Sequence, residues 1–497
     1  MVTQNAEVWR QKANECFKNG NFEKALFFYD RAIRYNPELS VLYLNKSLTC
    51  LRTGAFYFAY EAAKIGLEKG GDREKALYRM GQAAYGMREW QKAAELFLSV
   101  LKEFPLNAMA SEQLKRVTSR LSEQKYGKYD FKAMYLEGKK EKAQLDVADY
   151  TGPIEIADIP GKGRGIISTK DTRKGTLIAV SKAFSSGYVD GYDSKLFNMA
   201  SDVIGASTMN NDLNTMKILK NNPQRSGELC GLCSGEENEK DEEIPFGIID
   251  ASLIRRICET NRYGNAEKAD INRKLDSHLF ILTSYFNHAC LANAFRYGYG
   301  DVMIVYASDD IKKGEEICIS YLDPLHGFLD RQKKLSGWKF TCQCKLCEID
   351  SKDPNCLKRD EMWKEFKEYE KVASPKEIIA KGEPLLKKIR ESYINRNEFK
   401  YALADTLISL SSAYSHLENF LKSVQCLEEV LTLMDNPLQY IMRMADIYIN
   451  LAVCYGIKGD MKKGAKMIEK SMELRFCKDM DHFKLLYPDF IRSSLLR

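Results

Sequence analysis

Apolar and polar residues are distributed differently in three regions of the chain. Across residues 7–106, small and aromatic residues return in a helical pattern with a period of about 34 residues. Between residues 154 and 321, short runs of alternating or apolar residues predict strands. From Met362 onward the apolar positions again follow helical spacing, in units of about 41 residues. The pattern therefore predicts helical repeats on both sides of a β-rich centre.

The N-terminal repeat is defined by small residues that let paired helices approach, aromatic residues that fill the space between them, and prolines that end the second helix. The matching positions are Ala13, Gly20, Phe22, Ala25, Tyr29, Ala32 and Pro37, then Gly54, Phe56, Ala59 and Ala63, then Gly81, Ala93, Phe97, Val100 and Pro105. This spacing resembles tetratricopeptide repeats (TPR). It predicts an α-solenoid array over residues 7–106 with a capping helix to about 124, in a domain of residues 1–124.

Polar residues on the first helix of each repeat are spaced to share one surface. Arg10 and Asn14 lie one turn apart, as do Lys75 and Arg79, and Asn45 belongs to the unit between them. Such cations and amides suit the carboxylates of an acidic chain terminus. The set resembles the carboxylate clamp of TPR co-chaperones, which implies binding to the acidic C-terminal peptide of heat-shock chaperones. The alternative is a set of ordinary solvated side chains.

Residues 112–148 are charged and favour a helix, so residues 125–149 are predicted as a linker helix. A solvated connection is favoured over a nucleic-acid surface, because aromatic residues are not interleaved with the basic ones. The basic residues are Lys115, Arg116, Arg120, Lys125, Lys128, Lys139 and Lys140.

A glycine-rich run, Gly161-Lys162-Gly163-Arg164-Gly165, follows the short strand predicted at 154–156. Alternate glycines permit positive φ and a close approach of a ligand to the backbone. A plain hairpin turn is the alternative. Because no helix-forming run follows, the dinucleotide-binding fingerprint is excluded. Further strands are predicted at 166–169, 176–180, 302–307 and 316–321, with turns at 173–175 and 312–314.

Residues 185–245 look like an irregular insertion. Its acidic run from Glu236 to Glu243 predicts a mobile, solvated loop. Cys230 and Cys233 have the spacing of half a zinc site, but no second pair of Cys or His lies near them in sequence. Free thiols are therefore favoured over a metal at this pair.

Four other cysteines predict a metal centre. Cys290 is followed some fifty residues later by Cys342, Cys344 and Cys347. Four thiolates form a closed tetrahedral site for zinc, which leaves no open position for catalysis. The predicted zinc is therefore structural and clips two distant segments together.

The order of these motifs along the chain is similar to that in a second known family. Asn287-His288 precedes Cys290, and Tyr321 ends a strand shortly before the Cys-x-Cys-x-x-Cys tail. This arrangement resembles the SET-domain methyltransferases of the SMYD-like branch, although the run of Cys and His ligands that forms their MYND module is missing from this sequence. The resemblance implies a SET β-fold with a pseudoknot at residues 150–325, a post-SET zinc segment at 326–350, and a TPR-like helical domain at 351–497.

The resemblance also implies roles for individual residues. Tyr321 would be catalytic, and Tyr263 and Trp338 would line a channel for the substrate lysine. The residues implied to bind S-adenosylmethionine are Lys162, Gly163, Arg164, Asn261, Asn287, His288, Tyr321 and Phe340. The expected function is an S-adenosylmethionine-dependent protein-lysine N-methyltransferase that acts on histone or non-histone proteins. The alternative is a chaperone-binding TPR adaptor with a weak or inactive SET domain.

The net charge and the length of the apolar runs limit which kinds of binding partner are expected. A net charge of +6 over 497 residues gives no reason to expect nucleic acid or a membrane surface as partner. No apolar run approaches the roughly 20 residues of a membrane span, and the first residues lack the features of a secretory signal. The 14 cysteines are therefore expected in a reducing compartment, in the cytoplasm with the nucleus as a second location.

Overall fold

The computed structural model describes residues 2–188, 203–235, 245–264, 276–323, 325–434, 441–477 and 479–488. The acidic run Glu236 to Glu243 lies outside these ranges. Unit 1 of the fold comprises Met1–Gly152, Ala179–Tyr285 and Tyr297–Ile304, and unit 2 comprises Pro153–Ile178, Phe286–Arg296 and Val305–Arg497. None of the described helices is long and apolar enough to cross a membrane.

Unit 1 begins with paired helices that match the predicted repeat. They are α1 Val2–Lys18, α2 Phe22–Tyr35, α3 Ser40–Arg52, α4 Phe56–Glu68, α5 Arg73–Gly86 and α6 Trp90–Glu103. The small residues of the pattern lie where rings pack. A Cβ atom at Gly81 would come within 2.7 Å of the Phe97 ring, and one at Gly86 within 2.3 Å of the Phe56 ring. Close helix packing therefore explains the repeat, and the N-terminal TPR prediction is confirmed.

The predicted linker helix is only partly correct. Helix α7 spans Ala108–Tyr126 and α8 spans Phe131–Gly138, but no helix covers residues 139–149. Gly127 ends α7 in the left-handed conformation, with φ of 62°. After α8, Ala143, Leu145 and Val147 are buried. This segment packs against the protein instead of crossing solvent, because apolar residues alternate with the charged ones that dominated the sequence pattern.

The insertion contains a long helix that the sequence pattern did not predict. Helix α9 spans Val203–Asn221, and it is followed by the short α10 Ser226–Cys230 and by α11 Ala251–Asn261. Its buried stripe consists of Ser207, Asn211, Thr215 and Leu219, at intervals of four residues. Three of these four are polar, so the helix has no apolar periodicity. Asn211 is satisfied by donating hydrogen bonds to the carbonyls of Ser185 and Ser277, at 3.2 and 2.9 Å.

Asn222, which follows α9, caps a helix of the TPR array. Its side-chain oxygen accepts hydrogen bonds from the backbone N–H groups of Phe56 and Tyr57, at 3.0 and 3.3 Å. Its Nδ2 donates to the Gly54 carbonyl at 3.0 Å. The first N–H groups of a helix have no partner inside the helix. The N-cap residue of α4, Ala55, has no side-chain acceptor, so the side chain of Asn222, 166 residues from Phe56, caps the helix in its place.

Replacing this cap should destabilise unit 1 specifically. We expect Asn222→Ala to lower the free energy of unfolding by about 1 kcal/mol, because Asn222 is buried and its loss leaves the first N–H groups of α4 unpaired. Asn19→Ala, at an exposed position just after α1, should change it by less than about 0.5 kcal/mol. Urea denaturation of both variants measures the difference; equal midpoints would contradict the capping role.

The strands of the β-rich centre are β1 Tyr150–Thr151, β2 Ile154–Ile159, β3 Gly163–Ser168, β4 Leu177–Lys182, β5 Ser185–Gly187, β6 Arg262–Gly264, β7 Ser277–Leu279, β8 Asn287–His288, β9 Ala294–Tyr299, β10 Val302–Ala307 and β11 Glu316–Ile319. The sheets in the described residues have the orders β1-β4-β10-β9, β2-β3-β11-β8 and β5-β7-β6. The glycine-rich run forms the β2–β3 hairpin, in which Ile159 pairs with Gly163. The run therefore forms a hairpin, and ligand binding at its turn stays a prediction.

Strand β11 ends earlier than expected. It pairs in parallel with β8, Cys318 opposite Asn287 and Ile319 opposite His288. Tyr321, predicted as its last residue, lies two residues beyond it. The reason is that the backbone N–H of Tyr321 donates to the His288 ring instead of to a neighbouring strand.

Unit 2 continues into helices that include the second set of repeats. They are α12 Phe328–Leu335, α13 Lys345–Lys352, α14 Cys356–Glu370, α15 Pro375–Ser392, α16 Tyr401–His416, α17 Phe420–Leu433, α18 Ile441–Ile457, α19 Met461–Leu474 and α20 Met480–Leu486. Consecutive helices from α15 to α20 carry a buried face, as in the N-terminal array. The expected helical C-terminal region is confirmed.

A buried ionic network joins the cysteine-bearing helix α13 to the helices that follow. Asp350 forms ion pairs with Arg331 and with Arg396, the latter at 2.7 Å. Asp353 accepts from Arg359 at 2.5 Å and from Arg396 at 3.1 Å. Buried charges are tolerated when each is paired and hydrogen-bonded, whereas removing one partner is costly. The network therefore fixes α13 against the rest of unit 2.

Candidate active site and metal centre

The four predicted metal ligands come together in unit 2. The sulfur atoms of Cys290, Cys342, Cys344 and Cys347 all lie within 4.8 Å of one another. Cys290 Sγ is 3.5 Å from Cys347 Sγ and 3.9 Å from Cys342 Sγ. Cys344 and Cys347 are brought together by the start of α13, for which Cys344 is the N-cap. Among the described residues this is the one such group of three or more potential ligands.

Hydrogen bonds among the four sulfur atoms shift their pKa values in both directions. The pKa of Cys344 is lowered to about 6 and that of Cys342 is also lowered, whereas the pKa values of Cys290 and Cys347 are raised. The guanidinium of Arg331 lies 3.9 Å from Cys347 Sγ. Metals bind the thiolate form, and four thiolates suit zinc in a closed site. The donor set can therefore hold a zinc ion, and it contains no carboxylate or histidine that would suggest another metal.

Tyr321 lies in a group of aromatic rings beside this cluster. Its ring centroid is 5.1 Å from that of His288, 5.5 Å from that of Trp338 and 6.5 Å from that of Phe340. Its hydroxyl donates to the Phe286 carbonyl at 2.7 Å. A hydroxyl that donates its proton in this way presents its oxygen as an acceptor. Trp338 is 41% exposed, so this aromatic group reaches the surface of unit 2.

The predicted cofactor residues Lys162 and Asn287 meet at a carboxylate that was not predicted. Glu316, at the start of β11, forms an ion pair with Lys162 and accepts from Asn287 Nδ2 at 2.9 Å. Burial is the largest single influence and lowers the pKa of Lys162, but the hydrogen bond to Glu316 and the nearby negative groups together place this pKa above its ordinary value. The sequence feature that could have indicated Glu316 as a site residue is a carboxylate at a half-buried position of a strand. Its partners, far away in sequence, could not be read from the pattern.

The glycines of the β2–β3 hairpin create both a close contact and an open surface. A Cβ atom at Gly165 would come within 2.7 Å of Asn287 Nδ2, so β3 approaches Asn287 too closely for any side chain. Gly161 and Gly163 have φ of 72° and 73°. A Cβ atom at either would meet no heavy atom of the described residues within 4 Å. The hairpin thus presents bare backbone next to Lys162, Arg164 and Asn287.

Asn261 and Tyr263, two further predicted site residues, belong to unit 1. Asn261 Nδ2 donates to the carbonyls of Cys233 and Ile257, at 2.7 and 2.8 Å. The Tyr263 hydroxyl donates to the Thr283 carbonyl at 2.9 Å. These local bonds order the end of helix α11 Ala251–Asn261 and strand β6. A role in the cofactor site or substrate channel stays a prediction for both.

The five residues predicted to form the carboxylate clamp all lie in unit 1, but they are not all close to one another. Asn14 Oδ1 accepts from Asn45 Nδ2 at 3.4 Å. Arg79 donates to the Leu44 carbonyl at 2.5 Å, next to Asn45 in the chain. Arg10 forms an ion pair with Glu7, and Lys75 with Asp72, both at 2.6 Å. The amides are therefore brought together, and two of the cations are paired with carboxylates of their own segment.

Comparison with known families decides the nature of the β-rich centre. Residues 163–322 match the SET domain. The chain contains a SET domain. Tetratricopeptide repeats match on both sides of it, at residues 6–39 and 445–476. The four-cysteine cluster combines Cys290, from within the SET domain, with three cysteines that follow it.

Several characterised proteins are similar to parts of this chain. A methyltransferase of Gibberella zeae is 26% identical over 378 residues, covering 70% of this chain and 52% of that protein. The human histone-lysine N-methyltransferase SMYD3 is 32% identical over 137 residues, 27% of this chain and 31% of SMYD3. The Hsp70-Hsp90 organising protein of Plasmodium falciparum is 32% identical over 112 residues, 22% of this chain and 44% of that protein. The chain thus spans about half or less of each relative.

Proposed function

We propose that the protein is an S-adenosylmethionine-dependent protein-lysine N-methyltransferase whose TPR array selects partners. One observation carries the proposal. Within unit 2, the bare-backbone hairpin at Lys162–Arg164 and the Asn287 amide belong to the same sheet as β11, and β11 leads directly to Tyr321 and its aromatic neighbours. A SET domain with this arrangement of residues supports methyl transfer to a protein side chain.

The chain offers groups that suit the amino-acid part of the cofactor. S-adenosylmethionine supplies a methyl group activated by a positively charged sulfur when it is bound. The Lys162 cation and the backbone N–H groups of the open hairpin suit its carboxylate, while Asn287 offers an amide to its polar atoms. Phe340, with its ring centroid 6.0 Å from that of His288, provides an aromatic surface for adenine.

Tyr321 and Trp338 suit an incoming lysine. Aromatic faces attract an ammonium group through cation–π interaction. A lysine enclosed by such rings is desolvated, which lowers its pKa and favours the neutral, nucleophilic amine. The Tyr321 oxygen, held by the donation of its proton to Phe286, can accept a hydrogen bond from that amine and fix its direction. The residues thus act mainly by positioning and by exclusion of water.

Zinc at the four-cysteine cluster would be structural. Cys290 would tie the segment after β8 to the segment that carries Trp338 and Phe340 through Cys342. The ionic network around Asp350 holds the same segment from the other side. Zinc would take no part in the transfer itself, because four thiolates leave it no open position.

Methyl transfer tests the proposal directly. Purified chain, incubated with a protein extract and donor carrying a tritiated methyl group, should label proteins at methyl-lysine. Titration calorimetry should show binding of the donor, and Asn287→Ala should weaken it at least about tenfold by removing one amide contact. Asn214→Ala, whose side chain donates to the Ser186 carbonyl at an exposed position of unit 1, is the matched control. No heat and no label with the unaltered chain would refute the proposal.

We further propose that the TPR array binds an acidic peptide with a free C-terminus, as chaperones present. The amides of Asn14 and Asn45 are hydrogen-bonded to each other, and the Arg79 guanidinium donates to the carbonyl of Leu44, the residue before Asn45. A bound peptide can break the ion pairs of Arg10 and Lys75 at little energetic cost, because ion pairs at the surface contribute only about 0–1 kcal/mol to stability. A peptide carboxylate can replace Asp72 or Glu7 as the partner. Binding of this kind fits a cytoplasmic protein with nuclear access.

Two variants of the array, a double substitution at Lys75 and Arg79 and a single one at Asp72, should have opposite effects on peptide affinity. Lys75→Ala combined with Arg79→Ala should weaken binding of an acidic C-terminal peptide by at least about tenfold, since charge-assisted bonds are lost. Asp72→Asn should strengthen binding several-fold, because it releases Lys75 while an asparagine still caps α5. Fluorescence anisotropy measures both. Unchanged affinity in the double variant would rule out the clamp.

The adaptor alternative is decided by the same two assays. Peptide binding without donor binding or methyl transfer would support a chaperone-binding adaptor, and transfer together with peptide binding would support the enzyme. The open hairpin surface at Gly161 and Gly163 supports the enzyme, because it leaves backbone beside Lys162 accessible to the methyl donor.

A further inference from the structure

The imidazole ring of His288 uses both of its nitrogens inside unit 2. Nδ1 accepts a hydrogen bond of 2.9 Å from the backbone N–H of Tyr321. Nε2 lies 3.3 Å from Cys290 Sγ. Because Nδ1 accepts, the ring proton resides on Nε2, which therefore donates to the sulfur. The ring is buried, with 6% of the residue exposed, so water does not readily replace either bond.

We propose that His288 is a positioning residue that links the order of the four-cysteine cluster to the placement of Tyr321. The proposal rests on the function proposed above and deepens it. The ring alone separates a cluster sulfur from the backbone of Tyr321, through one hydrogen bond on each side. Disorder at the cluster therefore reaches Tyr321 directly, without passing through the helices of unit 2.

The position of Tyr321 makes this contact important. Because β11 ends at Ile319, the Tyr321 N–H lies beyond the strand pairing and has the His288 ring as its acceptor. The hydroxyl at the other end of the side chain is held by the Phe286 carbonyl. Removing the ring acceptor takes away the hydrogen bond that fixes the backbone N–H of Tyr321. The orientation of its oxygen then varies, which slows a reaction that depends on alignment.

The other side of the ring acts on the metal ligand. An N–H donor to a metal-bound thiolate stabilises the thiolate and orients it, as outer contacts of metal ligands generally do. Loss of this donor should speed metal release without removing a ligand. Both ring nitrogens are used in these two hydrogen bonds. A contact between His288 and the cofactor would therefore be made by the backbone atoms of His288.

Two substitutions separate the two bonds. The oxygen of an asparagine side chain can occupy the place of Nδ1, and the Nε2 of a glutamine side chain can occupy the place of the ring Nε2. We expect His288→Asn to retain clearly more of kcat than His288→Gln does, but to release zinc to a chromogenic chelator at least about tenfold faster than the unaltered chain. We expect His288→Gln to retain zinc and to lose at least about tenfold in kcat, with KM for the donor nearly unchanged.

This crossed pattern is the decisive result, because a purely structural residue would impair zinc retention and turnover together in both variants. Parallel losses, or no loss in either variant, would overturn the proposal. A measurement on the unaltered chain adds a test that needs no variant. Nitrogen-15 NMR with labelled histidine should show, among the five histidines, one ring with its proton on Nε2 whose signal shifts when zinc is removed. No such ring would also overturn the proposal.

Failure of this inference can be told from failure of the proposed function. If Tyr321→Phe abolishes transfer while the two His288 variants show no crossed pattern, the enzyme stands and only the link is wrong. If the unaltered chain neither binds the donor nor transfers methyl groups, the proposed function is wrong. The zinc-release and NMR measurements still report on the ring in that case.

Discussion

Tyr321→Phe should reduce methyl transfer by about two orders of magnitude or more while leaving donor binding nearly intact. The substitution removes one oxygen atom and keeps the ring that packs beside His288 and Trp338. The lost oxygen is the group proposed to direct the lysine amine, and removal of one well-placed polar group at a reacting centre typically costs about 10²–10³ in kcat. Single-turnover transfer of a tritiated methyl group measures the effect.

The matched control is Tyr306→Phe, which alters a buried tyrosine on β10 that stacks on Phe476 with ring centroids 4.0 Å apart. Its turnover should stay within about threefold, as for a substitution that only changes packing slightly. Calorimetry on both variants should give donor affinities close to that of the unaltered chain. Near-normal turnover in Tyr321→Phe would contradict the catalytic assignment.

Removal of zinc should have the largest effect on stability. We expect one zinc per chain, and Cys342→Ser or prolonged chelation should release it and unfold the segment from Trp338 to the start of α13 before the rest of the chain. Structural zinc in small modules is linked to about 10–16 kcal/mol of folding free energy. Elemental analysis measures the stoichiometry, and limited proteolysis should locate new cleavage sites within residues 336–350.

Cys233→Ser is the control variant for the zinc measurements on Cys342→Ser. Cys233 is exposed and its sulfur accepts a 3.4 Å hydrogen bond from the Gly235 N–H, which a serine can also accept. Zinc content should remain at one per chain in this variant. A stoichiometry of two that falls to one would instead place a second metal at Cys230 and Cys233. A zinc-free chain with unchanged proteolysis would contradict a structural role for the metal.

Much of the fold follows from local sequence. The TPR period could be predicted because small residues recur both where a ring packs, as Gly81 faces Phe97, and in the turns between helices, where Gly20 and Gly54 have positive φ. The grouping of the four cysteines could be predicted because the Cys-x-Cys-x-x-Cys spacing is typical of metal sites. Helix α9 could not, since its buried stripe of Ser207, Asn211 and Thr215 lacks apolar periodicity and is stabilised by hydrogen bonds that only the folded chain supplies.

The details of the site depend on contacts between residues remote in sequence. Glu316 acquires its role by meeting Lys162, 154 residues away, and Asn287, 29 residues away. The two bonds of His288 depend on where β11 ends and on how the cluster closes. Motif spacing identifies which residues belong together, whereas hydrogen-bond partners and tautomers require the three-dimensional arrangement.

The cap that Asn222 places on α4 has a consequence for separating the chain into parts. A fragment cut after the repeats would lose the cap on the first turn of α4, and the remaining fragment would keep for Asn222 its bond to the Ile218 carbonyl but not those to α4. Mixing the two fragments should therefore restore stability that neither has alone. Swapping the repeats for those of another protein would need an equivalent asparagine contact to be rebuilt at the junction.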